Sequence, residues 1–389
     1  MKILAICPAI PARDAKGYQV QAFHRLRHLS RSHSVVVLCF GQGEYDEKHK
    51  IALGEFGITV RMLPWRRSVA LFEVLKASFN HKIPFQCALF SSTDFKFALD
   101  GLICEIRPDV IHATTIRVLP NLTGNSVPVV LDLVDSMGLN FRRRVEQAPW
   151  WSRLLWKLEQ FRVARYEKIA ADHALVSFVV SSVDKEEISC ANVNVLPLGI
   201  DTNVYTIGPS QIDPIVVFTG NMSYQPNIEA VIWFANKCWP SIRDVIPGAL
   251  FVISGSRPAP DVYKLANDPS IRVTGRVPSV ADVIRGAQVS IAPMQSGSGM
   301  QFKVLEAMAC GIPVIVSTLG LGDIKAAPGK EVVIADTPEE FINSTIQLLA
   351  SNDLRSQIGY SGNQYVTNNH TWSSINQKFE SVIIDVLSE

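Results

Sequence analysis

The chain has 389 residues, 47% of them hydrophobic and 19% charged, with a formal net charge of +1. That length and apolar content suit two globular domains with sizeable cores, and the near-zero charge leaves no global field to gather nucleic acid. The seven cysteines are scattered without a C-x2-C spacing, which argues against a zinc ribbon or a disulfide framework and fits a reducing compartment.

Ile3–Cys7 opens the chain as a strand rather than a signal peptide, because Pro8 and Pro11 break the apolar run early. No apolar stretch reaches the length needed to span a membrane. Further strands are expected at Val35–Phe40, Thr59–Leu63, Val110–His112, Val129–Leu133 and Ala174–Val180. Helical patterns lie between them at Tyr18–Ser30, Thr93–Ile106 and Ser152–Ala171. A Pro-, Gly- and Asn-rich junction follows at Leu196 to Pro214. The scheme then repeats, with strands at Ile215–Thr219, Leu250–Ser254, Ile271–Thr274, Val289–Ala292, Pro313–Ser317 and Val332–Ile334. The helices expected there are Asn227–Cys238, Val262–Asn267, Val280–Gly286, Met300–Ala309 and Pro338–Ala350, and a last one covers Thr371–Leu387. Continuous β-branched strands alternating with helices predict an α/β chain of two doubly wound parallel sheets. Such sheets bind ligands beyond the carboxyl ends of their strands.

Pro293 to Val314 reads PMQSGSGMQFKVLEAMACGIPV: a strand end, a glycine-rich loop, a helix opening and a Gly-Ile-Pro stop. A glycine loop running into a helix start turns free backbone N–H groups toward an anion. Lys303 and Glu306 project from neighbouring turns of that helix. The ammonium suits a phosphate and the carboxylate suits a vicinal diol, and a nucleotide-linked ligand carries both. The plainer reading is a solvated Lys/Glu pair after an ordinary loop.

The segment resembles the donor-site signature of the retaining nucleotide-sugar glycosyltransferases of family 4, P-x4-E-G-x-G followed by L-E-A-M-A-x-G-x-P-V. Leu305 through Val314 match its second half. The resemblance implies a GT-B fold: two Rossmann-like domains facing a central cleft, here residues 1–197 for the acceptor and 198–370 for the nucleotide sugar. A C-terminal helix, 371–389, would cross back to the first domain. Gly199, Ile200, Asp201 and Tyr205 match the family's interdomain hinge, with Leu198 in place of its usual Asn.

On the donor side the resemblance gives Glu306 the ribose hydroxyls. Ser298 stands where the family carries the first Glu of its E-x7-E pattern, a departure that touches the contact to the donor sugar. After the strand Ile215–Thr219 the family has an Arg and then a Lys for the diphosphate, whereas this chain reads Gly220-Asn221-Met222 without a cation. Backbone and amide groups there substitute, or the run is turn chemistry. Lys303 would then carry most of the phosphate charge, helped by the N–H groups of Gly299, Met300 and Gln301. Arg276 and Val277 follow another strand in a turn similar to the family's G-x-V, whose backbone meets the nucleobase; Arg276 stacks on the base, reaches phosphate, or is an ordinary surface arginine. Arg257 lines the same rim.

On the acceptor side, Lys16 and Gly17 occupy the family's paired-glycine loop. His112 ends a strand that is similar to the family's P-D-V-I-H-A-H, and is either a site histidine or a core one. Asp135 is the candidate to position or deprotonate the acceptor hydroxyl, or else part of a helix cap with Ser136; Val134 takes the place of the family's His. Arg142, Arg143 and Arg144 suit an acceptor diphosphate. With Trp150, Trp151 and Trp156 they also form a basic amphipathic stretch, Phe141 to Lys157, fit for an anionic membrane surface or for a core helix with solvated cations.

The expected activity is transfer of a hexosyl unit from a nucleoside-diphosphate sugar to a glycan or lipid-linked acceptor, in bacterial exopolysaccharide or cell-surface polysaccharide synthesis. The catalytic set is Asp135, His112 and Lys303. No metal and no cofactor are expected, and no nucleic acid partner. The location implied is the cytoplasm, at the inner face of the plasma membrane. The alternatives are a sugar-nucleotide epimerase of the same fold and a non-catalytic binding subunit.

Overall fold

The structure, a computed structural model, describes residues 1–13, 15, 17–41, 43–79, 82–122, 124, 126–209, 211–296 and 301–388. The chain divides into two compact units, Met1–Leu198 with Ile375–Glu389, and Gly199–Ser374.

Among the described residues the first unit holds seven strands: β1 (Lys2–Cys7), β2 (Ser34–Gly41), β3 (Thr59–Pro64), β4 (Val110–Thr114), β5 (Val129–Val134), β6 (Val176–Val179) and β7 (Val193–Val195). They form one sheet in the order β3-β2-β1-β4-β5-β6-β7, every pairing parallel. The chain winds outward from β1 to β3, then returns to lay β4 on the other side of β1. The strand order therefore reverses between β1 and β4, the place where such sheets open a crevice at their carboxyl edge.

Strand alternation sends Leu4, Ile6, Ile111 and Leu131 to one face, against Phe95 and Leu99 of the helix Thr93–Ile106. Ile3, Ala5, Val110 and Val130 go to the other, against Phe23 and Leu26 of the helix Gly17–Leu29 and Ile375, Phe379 and Ile383 of the helix Trp372–Ser388. Full burial of such a side chain stabilises the fold by about 1.5–3 kcal/mol. The second face also holds a polar cluster. Arg25 and Gln21 donate to the carboxylate of Asp132, Gln21 at 2.8 and 3.0 Å. The Arg25 guanidinium lies 4.2 Å from the Phe379 ring centre and reaches Asn376 Oδ1 at 3.3 Å. Burial raises the Asp132 carboxyl, but Arg25 and His112 beside it hold it below its ordinary value. The last helix is thus held by a hydrogen bond and a cation–π contact from Arg25 as well as by apolar contact.

The second unit, among the described residues, has β8 (Ile215–Thr219), β9 (Leu250–Ser254), β10 (Ile271–Gly275), β11 (Val289–Ala292), β12 (Val314–Val316) and β13 (Val333–Ile334), again all parallel, in the order β10-β9-β8-β11-β12-β13. The reversal here falls between β8 and β11. Phe218, Phe234, Trp239, Phe251 and Phe341 pack on one face of this sheet, and Leu305, Met308, Val314 and Val316 on the other.

The Gly-Ile-Pro stop has a packing reason. Asn363 on the helix Asn352–Asn369 donates to Ala309 O at 2.6 Å, and a Cβ on Gly359 would lie 2.1 Å from Gly311 O. Gly311 itself has φ 72°, which a β-branched residue resists. At the other end of the unit, Ile200 N donates to His370 O at 2.6 Å, and a Cβ on Gly199 would lie 2.7 Å from Trp372 Cα. The incoming and outgoing segments of this unit run side by side there.

Candidate functional site

The helix Phe302–Ala309 starts just beyond the carboxyl end of β11, beside the end of β8. It therefore opens at the switch point of the second sheet. Met300 was expected inside this helix; Gly299, Met300 and Ser298 lie outside the described residues, as does Lys16.

Lys303, on the first turn, is only 8% exposed. Its Nζ donates to Asn227 Oδ1 at 2.7 Å and to Gln301 Oε1 at 3.2 Å, and lies 4.6 Å from the Phe218 ring centre. Burial pushes this ammonium down to about 8, against the opposing pull of Glu306. Glu306 stands one turn on, half-buried, and Oε1 accepts from the Tyr205 hydroxyl at 2.8 Å. Burial raises the Glu306 carboxyl, while Tyr205 and Lys303 oppose that rise. Burial and the neighbouring carboxylate push the Tyr205 phenol far up, so it stays a donor. A buried ammonium and a half-buried carboxylate on one face are a strong pair of handles for a phosphate and a diol.

Gly220 ends β8 at φ 157°, and Gly255 ends β9 at φ 156°. A Cβ on Gly255 would come within 1.6 Å of Gly220 O, and one on Gly220 within 2.7 Å of Asn227 Nδ2. These two glycines let the turns after β8 and β9 approach each other and Asn227 closely. Asn221 adopts turn chemistry: its Oδ1 accepts from Ser223 N at 3.1 Å and Ser223 Oγ at 2.9 Å. Its backbone oxygen accepts from Asn227 Nδ2 at 2.9 Å, so Asn221 reaches Lys303 through Asn227. Ser296 donates to Glu229, which also takes a bond from Gln225 at 3.0 Å; these two hydrogen bonds hold the Glu229 carboxyl below its ordinary value. Arg276 and Val277 follow β10, the edge strand. Arg276 is exposed, and its strand is two removed from β8, about 10 Å across the sheet. Arg257, also exposed, holds φ 53°.

In the first unit the structure separates the acceptor-side candidates. His112 was expected at the end of its strand. β4 in fact runs on to Thr114, which leaves His112 mid-strand, 1% exposed, with its ring 5.4 Å from that of Phe379 and Nε2 3.8 Å from Asp132. It belongs to the cluster under the last helix, which removes it from the catalytic set. Arg142 was expected to face an acceptor phosphate; its guanidinium pairs with Glu187 on the helix Ser182–Ile188.

Asp135 does stand at the carboxyl edge, one strand from the β1/β4 reversal. The residue reaches the surface, but its carboxylate is shielded by the surrounding rim, and Oδ2 accepts from Asn140 Nδ2 at 2.8 Å. Desolvation by the surrounding rim raises its carboxyl, and Asp184 adds to that. The cap of the following helix, Met137–Gln147, is Ser136 rather than Asp135: Ser136 Oγ accepts from Leu139 N at 3.1 Å. The turn that aims Asp135 comes at Val134, at φ 72°, and the neighbouring strand end Thr115 is at φ 63°. Two β-branched residues in the left-handed region at adjacent strand ends are the kind of strain that gathers at functional rims. Gly17 opens its helix at the carboxyl end of the loop after β1, and a Cβ there would meet nothing within 4 Å.

Two positions that no motif marked lie beside the Lys303 helix, Asn227 and Glu229, and Tyr205, marked only as a hinge residue, reaches Glu306 there. A cavity of about 550 Å³ lined by Leu122, Val127, Pro128, Tyr166 and Ile169 opens at the amino edge of the first sheet, away from this chemistry. Among the described residues, no cluster of three His, Cys, Asp or Glu side chains is placed to hold a metal ion, and no helix is long and apolar enough to cross a membrane.

Residues 213–351 match the model of the family described as Glycosyl transferases group 1. A curated relative from Corynebacterium glutamicum, a GDP-mannose-dependent monoacylated alpha-(1-6)-phosphatidylinositol monomannoside mannosyltransferase, is 21% identical over 242 residues, 59% of this chain and 61% of that one. The chain thus spans less than two thirds of the curated relatives it matches, 61% of this one and 42% of a second. Among solved structures, Anabaena HepE in complex with UDP superposes with a TM-score of 0.67 at 14% identity, covering 99% of this chain and 100% of that one. TarM superposes with a TM-score of 0.71 at 11% identity, covering 100% and 99%. The fold is that of the GT-B glycosyltransferases, two parallel-sheet Rossmann-like units.

Proposed function

We propose that this chain is a retaining glycosyltransferase that moves a hexosyl unit from a nucleoside-diphosphate sugar to a hydroxyl of a glycan or lipid-linked acceptor. The product would enter a bacterial exopolysaccharide or other cell-surface polysaccharide, made at the cytoplasmic face of the plasma membrane. The observation that carries the reading is the pair Lys303 and Glu306 on one helix, opening at the switch point between β8 and β11. The match to Glycosyl transferases group 1 covers this same stretch, and the neighbours include a UDP complex and a GDP-mannose-dependent enzyme.

In this reading Glu306 accepts hydrogen bonds from the ribose diol. Lys303 and the N–H groups at the helix start neutralise the diphosphate. As the bond from the anomeric carbon to the phosphate oxygen breaks, charge grows on the leaving diphosphate, and preorganised donors there lower the barrier. These groups do the work that a metal would otherwise do. Asp135 orients the acceptor hydroxyl, whose oxygen forms the new bond to the anomeric carbon and whose proton passes to a carboxylate or to the departing phosphate oxygen.

The test is a panel of UDP- and GDP-sugars, incubated with and without hydroxyl acceptors. Nucleoside diphosphate release that requires an acceptor, with the anomeric configuration of donor and product the same by NMR, supports the proposal. Interconversion of the sugar nucleotide with no acceptor would make the chain an epimerase. Donor binding with no turnover under any pairing would make it a binding subunit.

A further inference from the structure

Two helices of the first unit turn their apolar faces to solvent. On the helix Trp150–His173, Trp150, Trp151, Leu154, Leu155, Leu158 and Phe161 are all exposed, Trp150 at 86%. At 100° per residue these six fall within an arc of about 140°. The opposite arc buries Ser152, Glu159, Val163 and Glu167. On the helix Arg67–Phe79, Leu71, Phe72, Leu75 and Phe79 are exposed, Phe79 at 83%, while Ala70 and Ala77 face inward. The two helices adjoin, because Arg162 donates to Ala77 O at 2.7 Å. Single exposed apolar residues need no explanation, but a continuous patch of this size does.

Charge is sorted across the same helix. Arg153, Lys157, Arg165 and Lys168 are exposed. Glu159 and Glu167 are turned inward, where Glu159 accepts from Gln86 N at 3.2 Å and Glu167 from Met137 N at 2.8 Å. Arg66 and Arg67 stand exposed at the start of the other helix, where Lys76 pairs with Glu73 at 2.7 Å. Tryptophan, leucine and phenylalanine outward with lysine and arginine around them is the pattern of a helix lying in a lipid headgroup layer. A second copy of this chain on the same face would set these cations against each other.

The position of the patch matters as well. Ser136 and Gly138, just past the end of β5, meet Glu167, so Glu167 marks the level of the carboxyl edge of the sheet. The stretch from Trp150 to Val163 then stands beyond that edge, about 20 Å of helix, on the side where Asp135 lies. It is held by the antiparallel helix Met137–Gln147, through Phe141 against Trp156 at 6.0 Å and Arg144 over the Trp156 ring at 3.8 Å.

We propose that the outward faces of the helices Arg67–Phe79 and Trp150–His173 seat this chain on an anionic lipid bilayer, beside the edge that would receive the acceptor. Resting on the transferase reading, this assigns the acceptor to the class of lipid-anchored hydroxyls presented at the bilayer surface. The seat differs from the stretch expected in sequence: Arg142 is paired with Glu187 and Trp156 packs inward on Phe141, and the face extends to Phe161 and to a second helix.

The full-length chain is mixed with phosphatidylcholine vesicles, with and without phosphatidylglycerol, and separated by flotation. Binding is expected to the anionic vesicles only, falling as salt rises. The variant with Arg153→Ser, Lys157→Ser and Arg165→Ser should bind more weakly, by about fivefold for each cation removed. The variant with Trp150→Ser, Leu154→Ser and Phe161→Ser should not float, with its circular dichroism unchanged. Absent binding, or equal binding by the variant that lacks Trp150, Leu154 and Phe161, overturns the proposal. So does a dimer in solution that the same apolar-face variant dissociates, since a second copy would then own the face. Flotation needs no substrate. A chain that floats but transfers no sugar sinks the transferase reading alone; one that transfers sugar to soluble acceptors and ignores vesicles sinks the lipid seat alone.

Discussion

The Tyr205 hydroxyl donates to Oε1 of Glu306 at 2.8 Å, across 101 residues of sequence. Tyr205 comes from the segment that enters the second unit, and Glu306 from the helix at the switch point. One carboxylate oxygen is thus fixed and the orientation of the other follows. Tyr205→Phe removes the only hydroxyl of that side chain without changing its packing volume much. Donor affinity should fall by about 1.5–3 kcal/mol, the range for a hydrogen bond to a charged group. Glu306→Gln should weaken binding on a similar scale, and the double variant should lose little more than either single one. Titration calorimetry with the donor nucleotide measures all four proteins. Additive losses would mean that Tyr205 acts apart from Glu306.

If Lys303 binds the donor diphosphate as proposed, donor binding should depend on pH. Burial lowers its pKa from 10.5 to about 8 in the free chain. A bound diphosphate favours the ammonium and raises that value again. Between about pH 8 and 10, binding should therefore take up a proton, visible as a binding enthalpy that varies with the ionisation enthalpy of the buffer. Below pH 7 the uptake should vanish, because Lys303 is already charged. Lys303→Met should abolish it. Lys303→Ala should also lower turnover by on the order of 10²–10³, more than it lowers affinity, because diphosphate charge grows toward the transition state. Near-normal turnover in that variant would move the phosphate cradle to Arg276 or Arg257.

Glu167 should set a pH slope in stability. It is 1% exposed, and burial raises its carboxyl from 4.5 to about 7 despite bonds from Met137 N at 2.8 Å, Gly138 N at 3.1 Å and Ser136 Oγ at 2.9 Å. A carboxyl with a raised folded-state pKa favours the folded state below 4.5, and that contribution is lost as pH rises through 7. The loss should amount to about 3 kcal/mol between those limits. Urea denaturation at a series of pH values reads it directly. Glu167→Ala should be less stable overall and lack this segment of the slope; an unchanged slope would place the titrating group elsewhere.

Much of this architecture is legible in sequence because parallel strands buried on both faces are unbroken β-branched runs, as in Ile215–Thr219 and Val35–Phe40. The Lys303 helix was visible because a glycine loop and a periodic apolar set adjoin. What was missed depends on tertiary partners. β7, Val193–Val195, is three residues long and exists by pairing with β6. Asn352–Asn369 has little apolar periodicity and is helical because Gly359 and Asn363 dock on the Gly311 stop. Arg142 looked available because Glu187 is 45 residues away. His112 looked terminal because the unbroken β-branched run stops at Ile111, although the register with Leu131 and Asp132 extends β4 through Ala113 and Thr114.

On the transferase reading, Asp135 is the residue that the strained rim presents to the acceptor. Its carboxyl is raised above 3.8 by desolvation and by Asp184. A group that accepts or orients the acceptor proton must be ionised, so acceptor-dependent turnover should fall as pH drops through this raised pKa, higher than for an ordinary aspartate. Asp135→Asn keeps the shape and can still meet Asn140, but it cannot take a proton. Turnover should drop by on the order of 10²–10⁴, the range for general base catalysis, and the acidic limb of the pH profile should disappear. Donor affinity should not change, since Asp135 belongs to the first unit and Lys303 and Glu306 to the second. Steady-state kinetics across pH, with donor affinity measured separately, check both halves. If Asp135→Asn keeps its turnover and its acidic limb, the strain at Val134 serves only the turn into the helix Met137–Gln147, and the acceptor hydroxyl is handled by the departing phosphate alone.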